Sequence, residues 1–265
     1  MEQLNGRQHE IVALARSVGR VVVEDLAARF SVTPQTIRKD LNELCERRML
    51  SRVHGGATIA SGVENVGYDA RRFIAQDEKR AIGEAAARII PNGSSLFINI
   101  GTTTEEVARA LGRHEELLVI TNNLNVATSL YRHPGVDVIV AGGPVRRSDA
   151  GIVGGPAVDF IKQFKVDYAV IGVSAIDEEG ALLDYDYREV MVSQAIMENA
   201  REIVLVADRS KLARSAPIRV GRLSQVDAFV TDRLDSEELA ELCRRHEVRV
   251  VETGLRDEVQ NEAAQ

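Results

Sequence analysis

The feature that most constrains this chain is a train of short apolar runs that begins at residue 96. Leu96–Ile100, Leu117–Thr121, Val136–Ala141, Tyr168–Val173, Ile203–Ala207, Ala228–Thr231 and Val248–Val251 each span four to six residues and read as strands. Several are uninterrupted by polar residues, as expected of parallel strands covered on both faces. Helical stretches lie between most of them, and Asp77 to Ile90 reads as a helix with Ile82, Ala86 and Ile89 on one side. The pattern is that of an α/β sheet domain. A length of 265 residues leaves room for a second, smaller domain at the usual ~150 residues each.

Residues 1–59 supply that second domain. Asn5 to Ser17 carries Ile11, Leu14 and Ala15 at helical spacing. Val23 to Phe30 reads as a short second helix, and Ser31-Val-Thr33 as a turn. Thr33 suits an N-cap, and Pro34 suits the first position of a third helix running to about Arg48. Ile37, Leu41 and Leu44 share one face of that helix, which leaves Gln35, Thr36, Arg38, Lys39 and Asn42 outside. Leu50 to Ile59 follows as a hairpin around Gly55-Gly56. Helix, turn, helix and wing in this order fit a winged helix-turn-helix whose third helix enters the major groove. Gln and Arg suit adenine and guanine edges. Lys39 suits phosphate, and the wing would bring Arg52 and His54 near the sugar-phosphate backbone; Thr33, Gly55 and Gly56 complete the candidate DNA-binding set. The alternative is a small helical bundle with ordinary solvated charges.

Residues 60–75 are polar and Gly-bearing, which fits a linker, 76–255 hold the sheet domain, and 256–265 form a tail. The net charge of −7 hides an asymmetry, because residues 1–60 hold nine Lys and Arg against seven Asp and Glu. Global acidity argues against non-specific polyanion binding by the whole molecule, though not against a local DNA-reading surface. Two distant cysteines, Cys45 and Cys243, exclude a disulfide framework or a Cys-rich zinc site. No apolar run approaches the ~20 residues of a membrane span, and nothing resembles a secretory signal, so a cytoplasmic location is expected. No histidine pair has metal-ligand spacing, and no cofactor is expected.

Chemistry gathers at the strand ends. Gly101-Thr-Thr-Thr104 lies between a strand and a helix start, where free N–H groups, the helix dipole and hydroxyls suit a phosphate. The alternative is simple helix capping. Asn99, Asn122, Asn123, Arg146 and Lys211 follow other strands and could converge on the same carboxyl edge. For Arg146 a solvated loop is an equal reading, and for Lys211 a surface lysine is the alternative. Asp184 lies in an acidic cluster with Asp186 and Glu189, readable as a base, as a helix cap or as a polyol contact.

Thr33-Pro-Gln-Thr-Ile-Arg-Lys-Asp-Leu41 with Arg52-Val-His-Gly-Gly-Ala57 resembles the N-terminal signature of DeoR-family bacterial transcription regulators. Phe97 to Thr104, Thr121 to Ala127, Ala141-Gly-Gly143, Gly172 to Asp177 and Ala207 to Lys211 resemble that family's effector domain, so the likeness spans about residues 4–253. It implies a fold related to sugar-phosphate isomerases such as ribose-5-phosphate isomerase, used for sensing and not for turnover. It also implies a repressor of operator DNA, acting as a homo-oligomer (dimer or tetramer) on palindromic or repeated sites and released by a phosphorylated polyol or sugar. Ile90-Pro-Asn-Gly, Asp159 to Phe164 and Leu183 to Val190 favour the branch whose effector is glycerol 3-phosphate. Two positions depart from the pattern. Asn99 stands where the family usually has Asp, which leaves hydrogen bonding in place of catalysis. Leu212-Ala-Arg-Ser-Ala216 stands where that branch more often has Phe-Gly-Arg-Asn-Ala. An isomerase with an accessory DNA-binding head is the competing reading.

Overall fold

The computed structural model describes residues 4–18, 20–46, 49–53, 55–59 and 68–254. His54, residues 60–67 of the expected linker and the tail at 256–265 lie outside the described residues. The chain forms two compact units, Met1–Ile74 and Ala75–Gln265.

The first unit runs α1 (Gly6–Val18), β1 (Arg20–Val22), α2 (Val23–Phe30), α3 (Pro34–Glu46), β2 (Leu50–Val53), β3 (Gly56–Ile59) and α4 (Tyr68–Phe73). Ile37, Leu41 and Leu44 of α3 are fully buried against Ile11 and Ala15 of α1 and Leu26 of α2. The α3 stripe thus packs where the periodicity puts it. The wing is a three-stranded antiparallel sheet in the order β1-β3-β2. Strand β1, in the break expected between the first two helices, is the part that local pattern does not reveal. Its three residues pair with Gly56 to Thr58. Helix α4 occupies part of the segment expected to be linker.

The second unit runs α5 (Gln76–Ala87), β4 (Ser95–Ile98), α6 (Thr102–Leu111), β5 (Leu117–Thr121), α7 (Leu124–Leu130), β6 (Val136–Val140), β7 (Val145–Arg146), β8 (Gly151–Ile152), α8 (Gly155–Ile161) and β9 (Val166–Ile171). It continues through β10 (Ala175–Ile176), β11 (Ala181–Asp184), α9 (Tyr187–Glu198), β12 (Ala200–Val206), β13 (Ile218–Arg222), β14 (Ala228–Thr231), α10 (Glu237–Arg245) and β15 (Arg249–Glu252). Seven parallel strands form the main sheet in the order β15-β14-β12-β9-β4-β5-β6. All seven apolar runs of the sequence are in it. Alternate residues serve opposite faces: Leu96 and Ile98 pack under α5, α6 and α7, while Phe97 packs with α8 and α9. The chain leaves β4 in one direction through β5 and β6, then returns to the other side of β4 at β9. The topological switch point therefore lies between β4 and β9, where open α/β sheets open a crevice at the carboxyl ends of their strands. Gly83 lets α5 meet the backbone of α6, since a methyl on it would come within 2.6 Å of the Glu106 carbonyl carbon.

Candidate effector site and nucleic-acid interface

Helix α3 begins as the sequence indicates. The Thr36 N–H donates to Thr33 Oγ1 at 3.3 Å, so Thr33 caps the first turn. Gln35, Arg38, Lys39 and Asn42 are exposed, at positions i, i+3, i+4 and i+7 of one stripe. Thr36 is half-buried, with its hydroxyl 2.9 Å from that of Thr33. Arg38 lies 3.7 Å from Glu24 of α2, an exposed pair that water screens and DNA could displace. Arg52 and Gly55 are exposed in the wing, and Gly55 takes φ +73°. Gly56 is different. It is buried, and a methyl there would lie 2.0 Å from the Val21 carbonyl oxygen. Its lack of a side chain serves the β1–β3 contact, so the expectation that it faces DNA is corrected.

Sequence reasoning missed Asp40. This carboxylate is 4% exposed and takes Arg7 Nε at 2.6 Å and Nη2 at 3.3 Å. Gln8 Nε2 adds a bond to Glu43 at 2.6 Å, so α1 is tied to α3 by polar contacts beneath the reading face. The signal was present: Asp40 sits on the apolar stripe of Ile37, Leu41 and Leu44.

In the second unit the candidate residues do gather on the carboxyl edge, but in different roles. Asn99 follows β4 and spans the switch point. Its Oδ1 accepts the Gly172 N–H at 2.9 Å, and its Nδ2 lies 3.1 Å from the Gly172 carbonyl and 3.3 Å from Ser193 Oγ. Thr104 Oγ1 sits 2.9 Å from both the Asn99 and Gly101 carbonyls, closing the turn itself. Thr102 and Thr103 lie beside it in the first turn of α6, whose amides have no preceding helical carbonyls to meet.

Asn122 and Asn123 follow β5, the neighbour of β4 in the sheet. Asn122 Nδ2 donates to the Ile152 carbonyl at 2.9 Å, while its Oδ1 is buried with no hydrogen-bond partner. Asn123 caps α7 through the Asn125 N–H and donates to Glu105 Oε1 at 3.2 Å. Asp184 accepts Ser174 Oγ at 2.9 Å and the Tyr185 N–H at 2.7 Å. Both bonds fall on Oδ1, so Asp184 holds the β11 end through one carboxylate oxygen. Lys211 is half-buried in a single helical turn capped by Asp208.

Arg146 is the main departure. Three carboxylates surround its guanidinium: Asp149 in a two-point fork at 2.8 and 2.6 Å, Asp186 at 2.7 Å and Glu189 at 2.5 Å. Burial works against its charge, but the bonds to Asp149 and Glu189 outweigh it and hold the proton more tightly. Asp186 in turn is held well below the usual carboxylate range, first by Arg188 and then, against its own burial, by Arg146. Neither an open phosphate ligand nor a solvated loop describes this side chain. A phosphate oxygen would have to displace carboxylates already in place. The groups at this edge suited to an anion or a hydroxyl are the first-turn amides of α6, the Thr102 and Thr103 hydroxyls and the Asn122 side-chain oxygen.

A helix-turn-helix head and a sheet with an anion-suited turn at its switch point are matched by two family profiles. One, described as the DeoR-like helix-turn-helix domain, matches residues 7–63, and the other, the DeoR C terminal sensor domain, matches residues 74–233. The chain belongs to the DeoR family. It is 43% identical over 244 residues to the glycerol-3-phosphate regulon repressor of Escherichia coli (strain K12), covering 92% of this chain and 97% of that protein. It is 47% identical over 225 residues to the protein of the same name from Haemophilus influenzae, covering 85% and 88%. Among solved structures, ribose 5-phosphate isomerase A from Methanocaldococcus jannaschii aligns over 52% of this chain and 55% of that one, with 16% identity and a TM-score of 0.39. This DeoR-family chain is a DNA-binding transcriptional repressor with a sensor domain. No helix among its described residues is long and apolar enough to cross a membrane.

Proposed function

We propose that this repressor controls genes of glycerol or glycerol-3-phosphate catabolism and that glycerol 3-phosphate releases it from its operator. The observation that carries the reading is the first turn of α6 at the switch point, with Gly101, Thr102 and Thr103 beside the unpartnered Asn122 Oδ1. Helix amides and hydroxyls suit a phosphate, and the buried acceptor suits a polyol hydroxyl. The names of the relatives point to the same ligand. In this reading residues 1–59 bind DNA, 60–75 link, and 76–255 sense. Gln35 and Arg38 read bases, while Thr33, Lys39 and Arg52 touch phosphates. The protein works in the cytoplasm as a homo-oligomer, its two-fold pairing placing recognition helices ~34 Å apart or a multiple of that. In this reading it turns over no substrate: the relatives at 43% and 47% identity are named repressors, and two of the carboxylates an isomerase could use as a base, Asp186 and Glu189, are paired with Arg146.

The test is fluorescence anisotropy on DNA from upstream of a glycerol-catabolic gene, at several salt concentrations. Glycerol 3-phosphate should release the DNA, while glycerol and inorganic phosphate should not. Arg38→Ala should cost about 1–3 kcal/mol and relax base preference, whereas Lys39→Ala should weaken all sequences alike and lower the salt slope by about 1. Tight binding indifferent to glycerol 3-phosphate would refute the effector and leave the repressor.

A further inference from the structure

We propose that Arg146 is a positioning residue of the sensor and not an effector ligand: it straps the β7–β8 hairpin across the carboxyl edge and couples the first turn of α6 to that of α9. The inference rests on the effector site proposed above at α6.

The partners of Arg146 come from two directions. Asp149 closes the hairpin on itself, whereas Asp186 caps α9 and Glu189 lies in its first turn. The same hairpin is bound to the strand ends beneath it. The Ile152 N–H donates to the Asn122 carbonyl at 2.7 Å, and the Leu124 N–H donates to the Ala150 carbonyl at 3.1 Å. Gly151 packs so closely on Ile100, one residue before the α6 turn, that a methyl on it would lie 2.4 Å from Ile100 Cδ1.

A hydrogen-bonded path runs through the hairpin. Asn125 Nδ2 lies 3.1 Å from Glu105 Oε1 in the first turn of α6 and 3.1 Å from the Asp149 carbonyl. Asp149 grips Arg146, and Arg146 grips α9. Glu105 is itself buried, so it cannot trade its amide donors for water. A ligand that seats on the α6 amides therefore moves groups whose partners end on α9. The carboxylates also explain why the guanidinium stays out of the ligand shell. Pulling it toward a phosphate would strip its charge partner from Asp149, a carboxylate 3% exposed.

The test uses the full chain with Arg146→Gln, and Glu189→Gln as a milder second variant that keeps the guanidinium. Hydrogen exchange without ligand reads the Leu124, Ala150 and Ile152 amides. Calorimetry reads the Kd for glycerol 3-phosphate, and anisotropy reads DNA release. The strap requires exchange at those amides to rise about tenfold or more in Arg146→Gln. The affinity for glycerol 3-phosphate should stay within about threefold, while the effector's influence on DNA affinity falls about tenfold. Glu189→Gln should move the same readouts in the same direction by less. Loss of ligand binding with unchanged exchange would make Arg146 a ligand and overturn the proposal. Unaltered DNA release in both variants would overturn the coupling. If the wild type fails to bind glycerol 3-phosphate, the effector reading fails by itself. The exchange measurement then decides the strap, which unchanged amides would refute.

Discussion

Asn99 and Gly172 face one another across the switch point with both ends of the amide engaged: the Gly172 N–H donates to Asn99 Oδ1 at 2.9 Å, and Asn99 Nδ2 donates to the Gly172 carbonyl at 3.1 Å. The pair joins the ends of β4 and β9, where the sheet has no further ladder to hold them. Replacing Asn99 with Ala takes the partners from two half-buried backbone groups of Gly172. The expected loss is roughly 1–2 kcal/mol, read as a lower urea midpoint at unchanged slope. Asn99→Asp keeps the acceptor and loses the donor, so its deficit should shrink in acid, where a protonated carboxyl can donate. Wild-type stability in the Ala variant would show that the clamp contributes nothing.

The ion pair between Arg7 and Asp40 should be lopsided. Arg7 is 29% exposed in its side chain and Asp40 only 6%. Removing Asp40 frees a guanidinium that can turn to water, while removing Arg7 strands a buried carboxylate on the single amide of Gln8, 3.5 Å away. Arg7→Ala should therefore destabilise the head by about 3 kcal/mol and Asp40→Ala by less. Thermal melts of the two variants compare them directly, and equal losses would contradict the asymmetry.

Gly56→Ala should disable DNA binding without touching the sensor. The new methyl meets backbone at 2.0 Å, and backbone cannot swing aside as a side chain can. The β1–β3 pairing would open, the head should lose about 3 kcal/mol of stability to overpacking, and operator affinity should fall with the displaced wing. Because the chain forms two compact units, the sensor's own unfolding transition should stay in place. Operator binding at wild-type strength would remove this account of Gly56.

Acid should expose the role of Asp186. Its folded carboxyl is held below the ordinary range by Arg188 first and by Arg146 as well. A depressed carboxyl stabilises the fold at every pH above its unfolded value of about 3.9, and the contribution is lost as pH falls from there toward the folded value. Asp186→Asn keeps an oxygen to accept the Arg188 N–H at the α9 cap but carries no charge. Its stability at neutral pH should lie below wild type, and the gap should close as the pH falls below about 4. Urea midpoints across that range test this, and parallel curves would assign the pair no electrostatic role.

Much of this fold is legible in local pattern. The strands Leu117–Thr121 and Ala228–Thr231 begin and end where their apolar runs do. A run of apolar residues that must be covered on both faces leaves few alternatives. The two-residue strands β7, β8 and β10 were not legible, because two residues carry no alternation and form only where a partner already lies. Gly56 looked like half of a turn signal, and only the carbonyl of Val21 above it shows why the second glycine is needed.

The sequence by itself determined which segments become helices and strands, which faces are apolar, and that polar residues crowd the strand ends. Those are properties of periodicity and capping, which act within one or two turns of chain. What only the tertiary structure decided is which of those polar residues remain available to a ligand. Arg146 meets Asp186 and Glu189, 40 and 43 residues away, and Asn99 meets Gly172 at a distance of 73 residues. Such pairings depend on strand order. The return of the chain to the far side of β4 created the switch point, and it also brought α9 and its carboxylates to Arg146. Charge neutralisation between groups so far apart in sequence has no local signature, so an arginine that composition offers to a phosphate is found already committed to three carboxylates.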